Sequence, residues 1–357
     1  MDLSSATAHP ATLRAQRRPV GYWLLVVAAM IFVMVVLGGL TRLTHSGLSM
    51  VTWEPIGGVL PPLSQAEWED AFAAYRQTPE FHKRNPGMTL AGYKAIFWLE
   101  YVHRLWGRAI GVVFLVPFLY FLVRKRIDRG LVPRLAVVFV LGGLQGLLGW
   151  YMVQSGLVDN PDVSHHRLAL HLGAAFLLYG YILWVALGLL RTPGGEAAAR
   201  GARATRFGVT LVLVLVFVTV LVGGLVAGLD AGFMYNTFPK MEGQWVPDIW
   251  LAIVPAWANF IENAATVQFE HRVLALTTAA VALIVWAVGS HQAGAARAQG
   301  ALNAMALMAL VQVGLGIATL LSVVALPLAA AHQAGAMLLF TTVVWALREL
   351  KPPRPTG

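Results

Sequence analysis

The sequence predicts an all-α integral membrane fold, with eight transmembrane helices forming two pseudo-symmetric four-helix bundles related by a parallel internal repeat. Three observations predict it. The 357-residue chain is 58% hydrophobic and only 12% charged, too apolar for a soluble protein of that size. Stretches of the ~20 apolar residues needed to cross about 30 Å of hydrocarbon recur along it. The second half of the chain also repeats the first.

Taken in order, the apolar spans are 21–40, 96–123, 135–155, 165–190, 207–229, 264–289, 300–324 and 327–347. The first ends in "GGLTRLTHSGL" (38–48) and the fifth in "GGLVAGLDAGF" (223–233); each leads into a long outer loop with Trp and Pro (41–95 and 230–263). The second span carries "VHR" (102–104) and the sixth "EHR" (270–272). The third has "LQGLLG" (144–149) and the seventh "VQVGLG" (311–316); the fourth has "LHLGAA" (170–175) and the eighth "AHQAGA" (331–336). Only Pro327 separates the last two spans, which predicts a bent hairpin there.

Four crossings per unit is an even number, so both units enter the membrane in the same direction, about an axis along its normal. The expected units are 1–196 and 197–357, joined by the Gly-, Ala- and Arg-rich stretch 191–206, which reads as a flexible connector. Gly142, Gly143, Gly146 and Gly149 are expected to allow close helix approach.

Basic residues set the orientation. With the N-terminus inside, the cytoplasmic pieces hold sixteen Lys and Arg against six in the outer pieces. Both termini are therefore expected in the cytoplasm of a bacterial cell, with the chain multi-pass in the inner membrane. The net charge of +9 belongs to these short loops and suits anionic headgroups of the lipid bilayer. No basic domain carries a base-reading motif, so nucleic acid is not an expected partner. The first twenty residues lack an apolar core with a cleavage site, so no secretory signal is expected. The chain has no cysteine, which leaves His, Met, Tyr and carboxylates as the metal ligands.

Of ten histidines, four sit at matching places in the repeat: His103, His171, His271 and His332. Counted from the outer ends of the predicted spans they lie about 8–14 Å deep at ~1.5 Å per residue, which puts all four at one level. Two per unit, on two different helices, is what a bis-imidazole haem held between helices requires. A lone membrane histidine more often bonds a neighbouring helix, and two ligands per unit are too few for zinc. Arg104 and Arg272, with Arg108 a turn further on, either hold haem propionates or bond to backbone carbonyls. His165 and His166 stand at the outer mouth of the fourth span, at the membrane interface or facing an entering substrate. His45 aligns with Asp230 and reads as a loop residue; His9, His82 and His291 are expected to face solvent.

Glu100 precedes His103 by three residues and so shares its helix face. The corresponding residue of the second unit is Gln268, while Glu270 points about 100° away from His271. One unit thus places a carboxylate beside its haem and the other a neutral amide, which suggests chemistry in the first and support from the second. Glu100 either carries protons or pairs with Arg104 or another helix.

At these residues the chain resembles the haem A synthase family, over nearly its whole length. The resemblance rests on the duplicated layout with "GGLTRLTHSGLSMVTWEPIGGVLPP", "FWLEYVHRLWGR", "HHRLALHL", "FEHR" and "AHQAGA". It implies a membrane oxidoreductase that converts the C8 methyl of haem O to the formyl group of haem A, for terminal oxidase assembly. It further implies axial ligation by His103 and His171 in the first unit, which receives haem O, and by His271 and His332 in the second, which keeps a haem b. A functional acidic residue is implied at Glu100. Many members carry a cysteine pair in the outer loops; this chain resembles a cysteine-free bacterial subtype.

The rival readings are a di-haem cytochrome b-type electron carrier and a parallel-repeat transporter. The carrier would place haems at two depths, and the transporter would put polar breaks at mid-membrane. Haem O synthase, an unidentified electron acceptor and a second copy of the chain are the partners the reading leaves open.

Overall fold

The computed structural model describes residues 10–52, 58–157, 161–191 and 201–352. His9, the segment 53–57, Arg354 and linker residues 192–200, with the expected unit boundary among them, lie outside the described residues. Among those described, eight helices are long and apolar enough to cross a membrane. They are α1 (Pro10–Leu43), α2 (Leu90–Val123), α3 (Val132–Gln154), α4 (His165–Leu190), α5 (Arg203–Gly228), α6 (Ala264–Ser290), α7 (Gln299–Leu321) and α8 (Leu326–Glu349).

Local chemistry sets their ends. Thr89 caps α2 by accepting from the Gly92 amide, Ser164 caps α4 from Arg167, and Asn263 caps α6 from Ala265 and Thr266. Pro327 falls in the first turn of α8, where a missing N–H costs nothing. The hairpin before it is a tight turn through Val323 (φ 52°) and Val324 (φ 59°), a strained conformation for β-branched residues.

α1 packs against α2, α4 and α8; α3 bridges α2 and α4. In the second half α5 packs against α6 and α8, and α7 bridges α6 and α8. The halves meet where α4 touches α5 and α8 touches both α1 and α4. The largest core lies at that junction, with Leu24 and Val27 of α1, Phe176 and Ile182 of α4, Val209 and Val212 of α5, and Met337 and Val343 of α8 all buried. Polar ties that satisfy donors without water run through it. Trp23 donates to the Val113 carbonyl (2.8 Å), Trp106 to that of Met30 (2.8 Å), and Gln333 of α8 to that of Val35 (2.9 Å).

The expected role of the α3 glycines needs correction. Gly142, Gly143 and Gly146 have nothing within 4 Å of where a Cβ would stand. α3 is peripheral, with Leu135 and Val138 its buried residues, so these glycines admit no neighbouring helix. Gly149 does make a close contact, described below.

The loop between α1 and α2 contains two short helices, Gln65–Tyr75 and Pro79–Arg84. Ser64 and Glu67 form a capping box for the first, and Thr78 with Pro79 starts the second. They lean on the N-terminal part of α2 through Trp68, Tyr75, Tyr93, Phe97 and Tyr101; the Trp68–Phe97 ring centres are 4.9 Å apart, edge to face.

Candidate functional site

His103, His171, His271 and His332 project from α2, α4, α6 and α8, and each meets a glycine on the helix beside it. A Cβ on Gly38 would lie 3.1 Å from His103 Cε1, one on Gly149 3.3 Å from His171 Cε1, one on Gly223 3.1 Å from His271 Cε1, and one on Gly316 3.0 Å from His332 Cε1. Any side chain at these four positions would push the imidazole away. The neighbouring glycines serve the junction: a Cβ on Gly39 would strike Gln333 of α8, and one on Gly224 would meet Ala169 of α4 at 3.1 Å. So in each "GG" pair the first glycine seats a histidine and the second admits a helix of the other half.

The rings of His271 and His332 are 6.4 Å apart between centres, with planes at 83°. A metal–imidazole bond is ~2.0–2.1 Å long, so a gap of this size between the rings would admit one metal ion held by both. In the first half, His103 and His171 stand on α2 and α4, each against its own glycine. Nδ1 of His103 and of His171 is buried without a hydrogen-bond partner. Leaving such a group unpaired costs ~1–3 kcal/mol, a poor arrangement for residues whose task was helix-to-helix bonding. Gln312 lies 3.2 Å from His332 Nδ1 and donates to the His332 carbonyl at 3.0 Å.

Glu100 is buried beneath the loop between α1 and α2 and accepts four hydrogen bonds. Oε2 takes them from Ser49 Oγ (2.6 Å) and the Met50 amide (2.9 Å), and Oε1 from Arg104 Nε (3.0 Å) and Nη2 (2.5 Å). Arg104 also donates to the carbonyls of Met50 and Thr52, each at 3.0 Å. Gln268 and Arg272 make the matching set. Gln268 donates to the Ala231 carbonyl (2.9 Å), and Arg272 donates to Tyr235 (2.6 Å), Thr237 (2.8 Å) and Gln268 Oε1 (3.3 Å). Both guanidiniums are thus bonded to loop carbonyls, and Arg272 Nε stays buried without a partner.

His45 and Asp230 share a left-handed backbone, φ 50° and 51°. What these aligned positions have in common is a turn after the helix, which short polar residues tolerate. Asp230 accepts from Arg42 at 2.9 Å across the two halves, while His45 and Asp162 both meet Arg84. Burial, then the charges of Arg84 and Arg42, hold the His45 imidazole below its usual range. His45, Arg84, Met88, Asp230 and Phe233 line a cleft of about 510 Å³. His82 and His291 are exposed. Glu80, which sequence reasoning passed over, is buried beside Tyr75; burial and then the Glu100 charge push its carboxyl up to about 7.

With this geometry in hand, comparison with known proteins assigns the family. The family profile of COX15-CtaA, cytochrome oxidase assembly proteins, matches residues 21–344. The chain belongs to that family. It is 50% identical to a protein of Nitrosospira multiformis over 94% of this chain and 95% of that one. A protein of Paramagnetospirillum magneticum is 52% identical, over 93% and 94% of the two chains, and one of Rhodospirillum centenum 50%, over 98% and 93%. All three are named Heme A synthase.

Proposed function

We propose that this membrane protein is a haem A synthase, an oxidoreductase that converts the C8 methyl of haem O to the formyl group of haem A. The observation that carries the reading is the matched pair of seated-histidine sites of which only one has a buried carboxylate, Glu100, where the other has Gln268. His103 and His171 would hold the substrate haem O in residues 1–196, and His271 and His332 a haem b in residues 197–357. The ring of helix neighbours within each half supports treating the halves as two units, and the excess of basic residues supports cytoplasmic termini in a bacterial inner membrane.

A bound haem b supplies one-electron transfer through its iron. The rest falls to the chain. Each histidine ring is confined on one side by its glycine seat. Glu100 fixes residues 49–52 over the first site and places a negative charge there. Its four hydrogen bonds leave no free lone pair, so a proton reaches Oε2 only when the Ser49 hydroxyl turns away. Arg104 keeps the carboxylate in place through a two-point contact. Arg272 Nε remains for a propionate at the second site.

The test is to extract the haems of the purified protein and identify them by mass, with and without a supply of haem O. Haem b alone is expected without the supply, and haem b plus haem A with it. His103→Ala and His171→Ala should lose haem A while keeping haem b. A colourless protein, or one whose haem content those variants leave unchanged, would overturn the assignment.

A further inference from the structure

Three metal-binding side chains outside the seated histidines converge at the outer surface. His165 and His166 open α4, and Glu262 ends the short helix Asn259–Glu262 just before α6. His165 Nε2 lies 3.1 Å from Glu262 Oε2 and His166 Nε2 lies 3.2 Å from Oε1. The two rings are 4.0 Å apart, and the three donor atoms fall within 4.8 Å of one another. We propose that His165, His166 and Glu262 form a site for a divalent transition-metal ion of the zinc and copper class, joining the two halves of the molecule at the outer face. The proposal is independent of the haem chemistry.

Geometry and electrostatics both point to a cation. Ligands at ~2.0–2.1 Å from a tetrahedral ion stand about 3.3 Å from each other, close to the two nitrogen–oxygen separations seen here. His165 Nε2 is buried and makes no hydrogen bond of good geometry, although a carboxylate oxygen faces it. A neutral ring protonated on Nε2 could donate to the carboxylate, but His165 Nε2 does not meet it with hydrogen-bond geometry; as two imidazolium ions, the rings would set their charges a ring's width apart. One divalent ion relieves both arrangements. Two imidazoles and one carboxylate suit zinc(II) or copper(II) rather than magnesium or calcium, and three protein ligands leave a coordination position for water.

The donors are fixed from behind. A Cβ on Gly228 of α5 would lie 2.4 Å from His165 Cβ, so α5 is pressed against the start of α4. Buried Asn259 donates to the Ile253 and Ala256 carbonyls (2.7 and 3.0 Å) and accepts from the Ile253 amide, anchoring the helix that ends in Glu262. α4 goes on to carry His171 and α6 to carry His271, so an ion here holds the outer ends of two histidine-bearing helices from different halves.

The purified full-length protein would be stripped with a chelator, equilibrated with Zn²⁺ alone or Cu²⁺ alone, desalted, and its metal per chain measured. Wild type and the His291→Asn control are expected to keep one equivalent that His166→Asn and Glu262→Gln lose, with iron unchanged in all four. X-ray absorption on the zinc-loaded wild type should show imidazole and carboxylate ligands at ~2.0–2.2 Å; this measurement decides the matter even if a variant fails to fold. Equal zinc and copper in wild type and both variants, or a zinc spectrum without imidazole, would overturn the proposal.

Discussion

In the N-terminal half of α2, Glu100 and Arg104 fasten residues 49–52; in the N-terminal half of α6, Gln268 and Arg272 fasten residues 231–237. The two clamps use the same helix spacing and the same guanidinium-to-carbonyl bonds, yet one holds a carboxylate and the other an amide. Fastening a loop therefore does not require the charge. Nor does stability: the Glu100 and Arg104 side chains are 3% and 10% exposed, and a buried ion pair often does no better than neutral groups of similar shape. The negative charge beside the first histidine pair is left with a chemical role, which the proposed methyl oxidation supplies.

Exchanging the two residues tests this most directly and carries the largest effect. Glu100→Gln gives the first clamp the chemistry of the second. It should retain the fold and the haem b and reduce haem A formation by about 10²–10⁴-fold, read from the masses of extracted haems. Gln268→Glu should leave product formation close to that of wild type. A Glu100→Gln protein that makes haem A at the normal rate would reduce the difference between the clamps to a structural accident.

Removing the guanidiniums sharpens the same contrast through stability. Arg104→Leu strands a buried carboxylate and should cost about 3–5 kcal/mol. Arg272→Leu strands only an amide and loop carbonyls and should cost ~1–3 kcal/mol. Thermal unfolding of both variants in one detergent measures the gap, and equal losses would mean that the carboxylate depends on its arginine no more than the amide does.

The clamps show how far the sequence could be read. Eight spans were legible because lipid demands long unbroken apolar helices, and the seated histidines because imidazoles stand out in such helices. The partners of Glu100 were not: Ser49 and Met50 lie some fifty positions away, and only the loop's fold brings them back. The glycine seats were legible in principle, since Gly38 matches Gly223 and Gly149 matches Gly316 in the repeat, but a glycine in a membrane helix reads first as a helix contact. Gly142, Gly143 and Gly146 invited that reading and touch nothing. The loop helices announced themselves in Ser64–Glu67 and Thr78–Pro79, signals that the length of the apolar spans overshadowed.

Buried acidity extends the contrast into the loops. Glu80 is buried in the first outer loop, whereas Glu242, Asp248 and Glu262 of the second are exposed. Its carboxyl rises from 4.5 to about 7, so the folded protein binds a proton there that the unfolded chain releases. Stability should therefore fall as pH rises from roughly 4.5 to about 7 and level off above. Glu80→Gln should flatten that decline, raising stability at neutral pH by up to about 3 kcal/mol. Unfolding midpoints of wild type and variant across this range would show it, and parallel curves would place the titration elsewhere.

The smallest expected effect isolates one histidine in each half. Gly38→Ala and Gly223→Ala introduce the same Cβ, each 3.1 Å from the Cε1 of its own histidine, so each ring must give way by a few tenths of an ångström. Neither change should cost more than about 1 kcal/mol, because a single methyl meets the edge of a ring that can tilt. The readouts should nevertheless part company. Gly223→Ala moves His271, and should with it shift the absorption bands and reduction potential of the haem b proposed there, with haem O turnover following only through electron transfer. Gly38→Ala moves His103, leaving those bands alone and lowering haem A formation directly. Both variants shifting the haem b spectrum equally would mean that the seats are not private to their own halves, and the division of labour between the two clamps would fall with them.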